Sequence, residues 1–444
     1  MSEVAHKQAD QIISADWVLP IRPKGLCLSQ GAVAIKEGRI VAILSEQERS
    51  GWQAPEQQHL DGQLLMPGLV NAHGHAAMSL FRGMADDQPL ESWLNDHIWP
   101  AEGRWVDEQF VRDGAKLAIA EMMRSGTTCF SDMYFFPEEL ARVVVDAGIR
   151  AQLSFPIFQF PSAWGQGPEE YFRKGLQLRD DVKHNHRLRI AFGPHAPYTV
   201  DDESLQRVSM LAAELDAGIQ IHLHETEFEV EQATKDTGMR PIERLHKLGL
   251  LTPRTQCVHM VALNQTDIDC IADSGAHVVH CPRSNLKLAS GISPVKALMD
   301  AGVNVALGTD SAASNNSLDL FSEAQYAALL AKAQSKDASA VSAEDALDMA
   351  TINGAKALGM DQDIGSLEPG KWADMISIQL NSPELKPLYD PASQLVYNQT
   401  GHGIEHSWVA GKQLMKNGQL SGFSPSELNQ IADQWRQKIT GETP

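Results

Sequence analysis

Cysteine is scarce in this 444-residue chain. Its five cysteines, Cys27, Cys129, Cys257, Cys270 and Cys281, are odd in number, scattered and without a Cys-x-x-Cys pair, which argues against a disulfide framework or a zinc knuckle. No apolar run approaches the roughly 20 residues that span a bilayer. The opening Met1-Ser-Glu-Val-Ala-His-Lys7 lacks a cationic flank leading into an apolar core, so cytoplasmic residence is expected. Positive charge is in short supply: 37 Lys and Arg stand against 57 Asp and Glu, a formal net charge of -20. Such a surface repels phosphate backbones and anionic lipid, so neither nucleic acid nor membrane is an expected partner, whereas a small neutral or cationic molecule is. Internal repeats and low-complexity segments are also missing. What remains is ordinary for a globular chain with a sizeable core: 43% hydrophobic and 21% charged residues.

From about residue 64, short apolar or β-branched runs alternate with longer amphipathic stretches, the pattern of repeated β-α units around a parallel sheet. Eight such runs occupy 64–73, 127–133, 150–156, 188–195, 218–225, 254–260, 277–282 and 304–310, and eight strands close a barrel. Helices are expected at 107–124, 201–215, 229–248 and 317–333, and Asn264 before Asp267 carries the start signal of another. The segment 342–358 opens with Ser342 and Asp345 in capping-box spacing and is expected to pack outside the barrel. Before residue 66 and after Pro369-Gly370 the texture changes to short alternating runs with glycines at 31, 38, 62, 411 and 418, as in antiparallel strands joined by tight turns. The expected fold class is α/β: a (β/α)8 TIM-like barrel with its extra helix over 67–365, a small β-sandwich domain formed by both chain ends, 1–66 and 366–424, and a C-terminal helix or tail at 425–444.

Four fragments place metal-binding side chains at the ends of these runs: Asn71-Ala-His-Gly-His75, Ile221-His-Leu-His-Glu225, Val258-His259 and Leu307-Gly-Thr-Asp310. His73 and His75 are two apart, so an extended strand end points both imidazoles to one side. His222 adds a third neutral nitrogen, and Asp310 adds a hard oxygen that can accept a proton from bound water. Three histidines and a carboxylate with a position left for water describe a catalytic metal centre rather than a structural one. A lone strand-end histidine is more often a packed core or loop residue. Here all the pieces fall at the carboxyl ends of barrel strands, where the chemistry of such barrels sits, and His195 and Met133 fall there too. His184 and His186 precede the fourth strand, at the opposite end, and His402 and His406 fall in the β domain.

Pro67-Gly-Leu-Val-Asn-Ala-His-Gly-His75, with His222, His259 and Gly308-Thr-Asp310, resembles the amidohydrolase superfamily, and more narrowly its deaminases and chlorohydrolases of aminated heteroaromatic rings. The resemblance spans nearly the whole chain. Met78-Ser-Leu-Phe-Arg-Gly83, Trp93-Leu94, Pro100-Ala-Glu102, Gly193-Pro-His-Ala-Pro-Tyr198 and His222-Leu-His-Glu225 resemble the 5'-methylthioadenosine/S-adenosylhomocysteine deaminase subgroup. This implies one Zn2+ per subunit, or Fe2+ as in some relatives, bound by His73, His75, His222 and Asp310. The fourth run ends in His195 rather than the lysine that, carboxylated, bridges two ions in binuclear relatives, which favours a single metal. The implied reaction is hydrolytic deamination of the adenine ring of 5'-methylthioadenosine, S-adenosylhomocysteine or adenosine, giving the inosine analogue and ammonia. Asp310 and His259 would help deprotonate water and Glu225 would protonate N1. By the same resemblance the substrate contacts are Glu102, which accepts hydrogen bonds from the ribose hydroxyls, and His195, together with Glu225 and Asp310. Trp93 is a candidate wall for the purine, against an ordinary packing role. Homodimers or tetramers accord with the resemblance.

One departure bears on specificity. Some relatives carry arginines in and after the third-strand loop that hold the carboxylate of S-adenosylhomocysteine, whereas Leu153-Ser-Phe-Pro-Ile-Phe-Gln-Phe-Pro161 is apolar. A loop of this kind offers an amino-acid tail no charged partner and predicts preference for the methylthio nucleoside. Two alternatives remain: the same metal centre acting on guanine, another purine or an aminotriazine, and a non-catalytic amidohydrolase-like scaffold, which would be expected to have lost metal ligands that this chain retains.

Overall fold

The structure, a computed structural model, describes residues 7–398 and 403–441. Its centre is an eight-stranded parallel sheet: Leu69–Asn71 (β1), Thr127–Asp132 (β2), Arg150–Ile157 (β3), Leu188–Pro194 (β4), Ile219–Leu223 (β5), Thr255–His259 (β6), His277–His280 (β7) and Val305–Leu307 (β8). The strands pair in chain order. The ring closes where Ala72 N–H donates to Leu307 O at 2.8 Å and Asp310 N–H donates to His73 O at 3.1 Å. Strands covered by helices outside and side chains inside are buried on both faces, which is why they are legible as nearly continuous apolar runs.

The surrounding helices begin on side chains that satisfy their free amides. Asp107 accepts from Phe110 N–H and Asp201 from Ser204 N–H, while Asn264 with Asp267 and Ser342 with Asp345 form reciprocal capping boxes. Two expected helices are broken. In place of one over 229–248 there are Glu227–Thr237 and Pro241–Lys247, because Gly238 ends the first in a left-handed cap (φ 74°) and Pro241 begins the second. The stretch 342–358 divides at Thr351 (φ -131°, ψ -93°) into Ala343–Ala350 and Ile352–Ala357. The run 64–73 also serves two sheets. Its first part completes the strand Glu56–Pro67, and the chain enters β1 through Gly68, where an added Cβ would lie 2.0 Å from the Thr128 side chain.

The second sheet has nine strands drawn from both ends of the chain. Met375–Gln379 pairs antiparallel with Glu56–Pro67, stitching the C-terminal strands to the N-terminal ones. A buried ion pair ties this sheet to the barrel: Arg150, opening β3, reaches Asp374 through Nε–Oδ2 at 2.9 Å and Nη2–Oδ1 at 3.2 Å. The helix Pro425–Thr440 returns to the barrel helix Glu108–Arg124, setting Trp435 against Phe110 and donating its Nε1–H to Asp113 at 2.9 Å. His186 stacks on Trp372, His406 is buried beside Trp408, and His402 lies outside the described residues. Among the described residues no helix is long and apolar enough to cross a membrane.

Candidate active site

Five ionisable side chains from four strand ends meet at one point. His73 and His75 follow β1, His222 lies within β5, His259 ends β6 and Asp310 follows β8. The backbone is bent to deliver some of them: His224, His259, Met260 and Asp310 all adopt positive φ, between 50° and 75°. Left-handed non-glycine residues cost on the order of 1–3 kcal/mol each and persist only where the surroundings hold them.

Every histidine of the group is oriented by its second nitrogen. Nδ1 faces Gln220 Oε1 at 2.9 Å in His73, Met133 O at 2.6 Å in His75, His195 O at 2.7 Å in His222 and Asn285 Oδ1 at 2.9 Å in His259. All four partners are oxygens that accept, so each Nδ1 carries a hydrogen and Nε2 is the atom turned toward the centre. Nε2 of His222 lies 3.3 Å from Nε2 of His73, and Nε2 of His75 lies 3.3 Å from Asp310 Oδ1. Two ligands on one tetrahedral zinc ion with bonds of about 2.1 Å stand roughly 3.4 Å apart. Two acceptor nitrogens at that spacing repel each other unless a cation lies between them, so the donor set fits a zinc-like ion. His73, His75 and Asp310 form one possible ligand group, and His73, His222 and His259 another.

The electrostatics divide the cluster: His73 and His222 are held neutral, while His75 beside the Asp310 carboxylate favours its proton. Burial pushes His73 down to about 4 and His222 further below its ordinary value, with the neighbouring histidines adding to the effect. Burial likewise opposes charge on His75, yet the adjoining Asp310 carboxylate lifts it to about 9. Asp310 is held well below the carboxylate range: burial works against its charge, and His73 and His75 outweigh it. Its other oxygen accepts from Ser284 Oγ at 2.6 Å and Ser314 Oγ at 2.8 Å.

A cavity of about 290 Å³ opens beside this cluster. Glu225 and His195 line it on the metal side. Burial, reinforced by the Asp310 charge, raises Glu225 to about 8, and its Oε2 lies 3.6 Å from His259 Nε2. Burial lowers His195 to about 3, and its ring lies 4.9 Å from that of Phe158. The helical segment 90–105 forms the opposite wall and contributes Trp93, whose buried Nε1 has no partner, and Glu102. Burial raises the Glu102 carboxyl to about 7 against the pull of Tyr134, whose hydroxyl donates to it at 2.7 Å. Phe135, Phe158, Phe160 and Pro161 form the remaining side, and no lysine or arginine of the described residues lines the cavity.

All the residues expected from the sequence therefore share one cavity: His73, buried behind its rim, with His75, Trp93, Glu102, His195, His222, Glu225, His259 and Asp310 on its wall. Sequence reasoning missed the groups behind them. Gln220 carried a signal, since it lies two residues before His222 on the same strand face. Tyr134, Ser284, Asn285 and Ser314 carried none, because they reach the site from loops and short helices without periodicity.

The profile of the amidohydrolase family matches residues 64–414. A 5-methylthioadenosine/S-adenosylhomocysteine deaminase of Teredinibacter turnerae is 54% identical over 431 residues, covering 97% of this chain and 98% of that protein. A 5'-deoxyadenosine deaminase of Methanothermobacter thermautotrophicus is 41% identical over 419 residues, covering 93% and 96%. The crystal structure of an adenosine deaminase from Xanthomonas campestris with bound zinc superposes with a TM-score of 0.97 at 44% identity, covering 98% of this chain and 100% of that one. A barrel closed by eight parallel strands, an inward-facing set of histidine nitrogens beside an aspartate, and likeness of this extent place the chain in the amidohydrolase family.

Proposed function

We infer that the protein is a zinc-dependent deaminase of the adenine ring in 5'-thioether nucleosides, with the methylthio nucleoside preferred. The observation that carries this reading is the meeting, in one cavity, of the histidine and aspartate cluster with the buried side chains of Glu225 and Glu102. His73, His75, His222 and Asp310 would hold the metal, which when bound supplies a Lewis acid and an activated water.

The chain's own groups account for the proton traffic. Asp310 and His259 face the position where water would lose its proton, and both have acceptor atoms there. Glu225, lifted to about 8, carries a proton at neutral pH and lies within the same wall to deliver it to N1 of the ring. The C6–N bond is replaced by a C6–O bond and ammonia leaves. His195 stays neutral and contacts the ring as a hydrogen-bonding group rather than a charge. Glu102, steadied by Tyr134, accepts from the ribose diol. The 5' substituent then faces the wall of Phe135, Phe158, Phe160 and Pro161, which favours a methylthio group and leaves an ionised amino-acid tail without a cationic partner. The activities named for the relatives agree with this chemistry.

The test is ammonia release from 5'-methylthioadenosine, S-adenosylhomocysteine, adenosine, adenine and guanine by zinc-loaded and metal-free protein. Zinc-dependent release, fastest from the methylthio nucleoside, is expected. Release from guanine or adenine alone would overturn the ribose role of Glu102, and equal rates on both thioether nucleosides would overturn the stated preference.

A further inference from the structure

We propose that Glu229 is a positioning residue for Glu225, its two carboxyl oxygens clamping the two backbone amides that aim Glu225 into the cavity. Its sequence setting suggests something plainer. Thr226-Glu-Phe-Glu229 has the spacing of a capping box, in which the glutamate at the third helical position returns to the backbone N–H of the cap residue. Half of that box is present: Thr226 Oγ1 accepts from Glu229 N–H at 3.1 Å. The other half is redirected. Glu229 Oε1 accepts from His224 N–H at 3.1 Å and Oε2 from Glu225 N–H at 2.8 Å, so both oxygens pass the cap and grip the two residues before it.

Those two residues form the turn that directs the strand end. His224 has φ 52°, a left-handed conformation at a non-glycine residue, and without it the chain would continue β5 and carry Glu225 elsewhere. The imidazole of His224 is anchored at both nitrogens, Nδ1 to Ala262 O at 2.9 Å and Nε2 to Ile242 N–H at 3.2 Å. Its carbonyl accepts from Val261 and Ala262 N–H. The Glu229 carboxyl group completes this frame from the helix side. Acceptance from two successive amides by the two oxygens of one carboxyl group fixes the peptide plane between them, and that plane sets where the Glu225 side chain begins. An error near 1 Å in a reacting group costs on the order of 100-fold in rate.

The inference rests on Glu225 acting as the proton donor, and five single variants, Glu229→Asp among them, separate the two claims. Glu229→Ala and Glu229→Gln remove one or both acceptors. Thr226→Ala removes the ordinary cap and leaves the clamp, and Glu225→Gln removes the donor. Kinetics on 5'-methylthioadenosine, zinc content and thermal melting are measured for each variant and for the double variant Glu225→Gln/Glu229→Ala. The expected result is a fall in kcat of about 10–100-fold for both Glu229 variants, with KM within about threefold and zinc content unchanged. Glu229→Asp recovers less than half of the loss because it is one methylene short, while Thr226→Ala lowers the melting temperature with kcat intact. The double variant is no slower than Glu225→Gln. Wild-type kcat in a folded Glu229 variant, or equal kcat losses in Thr226→Ala and Glu229→Ala, would overturn the clamp. Undiminished activity in Glu225→Gln would instead overturn the donor assignment on which it rests.

Discussion

Gln220 decides which nitrogen of His73 faces the cavity. Its Oε1 accepts from His73 Nδ1, and its Nε2–H groups are occupied by Ala72 O, Ser131 Oγ and Gln256 Oε1, so the amide cannot turn round without losing several bonds at once. Gln220→Leu is therefore expected to weaken zinc binding by about 10–100-fold, the usual effect of removing a partner behind a metal ligand, as measured by competition with a chelator. On the proposed reading of the substrate side, Glu102→Ala would leave the ribose diol unpaired. Its kcat/KM on the methylthio nucleoside should fall by on the order of 100-fold or more, while residual turnover of free bases is unchanged. The pH dependence follows from Glu225. In its proposed donor role, a carboxyl group raised to about 8 holds its proton and is neutral below that value and loses the proton above it, so kcat should decline as pH rises through about 8, and Glu225→Gln should abolish that limb together with most of the activity.

At the scale of elements, the proposed tail preference rests on the loop after β3. Phe158 stands 5.0 Å from Phe160 and 5.9 Å from Phe135, ring centre to ring centre, and with Pro161 these side chains make an apolar wall. Phe160→Arg would supply the cation that this wall lacks, and the ratio of kcat/KM for the methylthio nucleoside to that for S-adenosylhomocysteine is expected to drop by about tenfold. Such loops were legible in the sequence because their strands were. Buried parallel strands are apolar on both faces, so all eight stood out, and the histidines at their ends came with them. Less legible were the breaks in backbone direction. Pro241 and Gly238 split one expected helix, signals that amphipathic periodicity across 229–248 masked. The positive φ at His224, His259 and Asp310 had no signal at all, since only tertiary contacts hold a non-glycine residue there. The ionisable side chains that gather at the cavity were among those named from the sequence, whereas the turns that aim them were not.

At the scale of the molecule, one buried ion pair joins the two sheets. Arg150 and Asp374 are each 2% exposed in their side chains. Asp374 Oδ1 also accepts from Ala410 N–H at 2.7 Å, and Arg150 Nη1 donates to His186 O at 2.8 Å. The pair thereby links β3, the entry to β4, the strand 375–379 and the turn at 410. Removing one partner strands a charge in a buried site, and breaking a buried pair in this way costs about 3–5 kcal/mol. Replacing both by apolar groups removes the stranded charge and costs much less. Asp374→Ala is therefore expected to lower the midpoint of denaturant unfolding well below that of Arg150→Met/Asp374→Leu. Because the pair is far from His73 and Asp310 in sequence and lies at the opposite ends of the strands, zinc affinity under native conditions should be the same in both variants. If the two sheets unfold as one unit, circular dichroism and release of bound zinc follow a single shifted transition in Asp374→Ala. An early loss of the end-to-end sheet with zinc retained would show instead that the barrel stands without it.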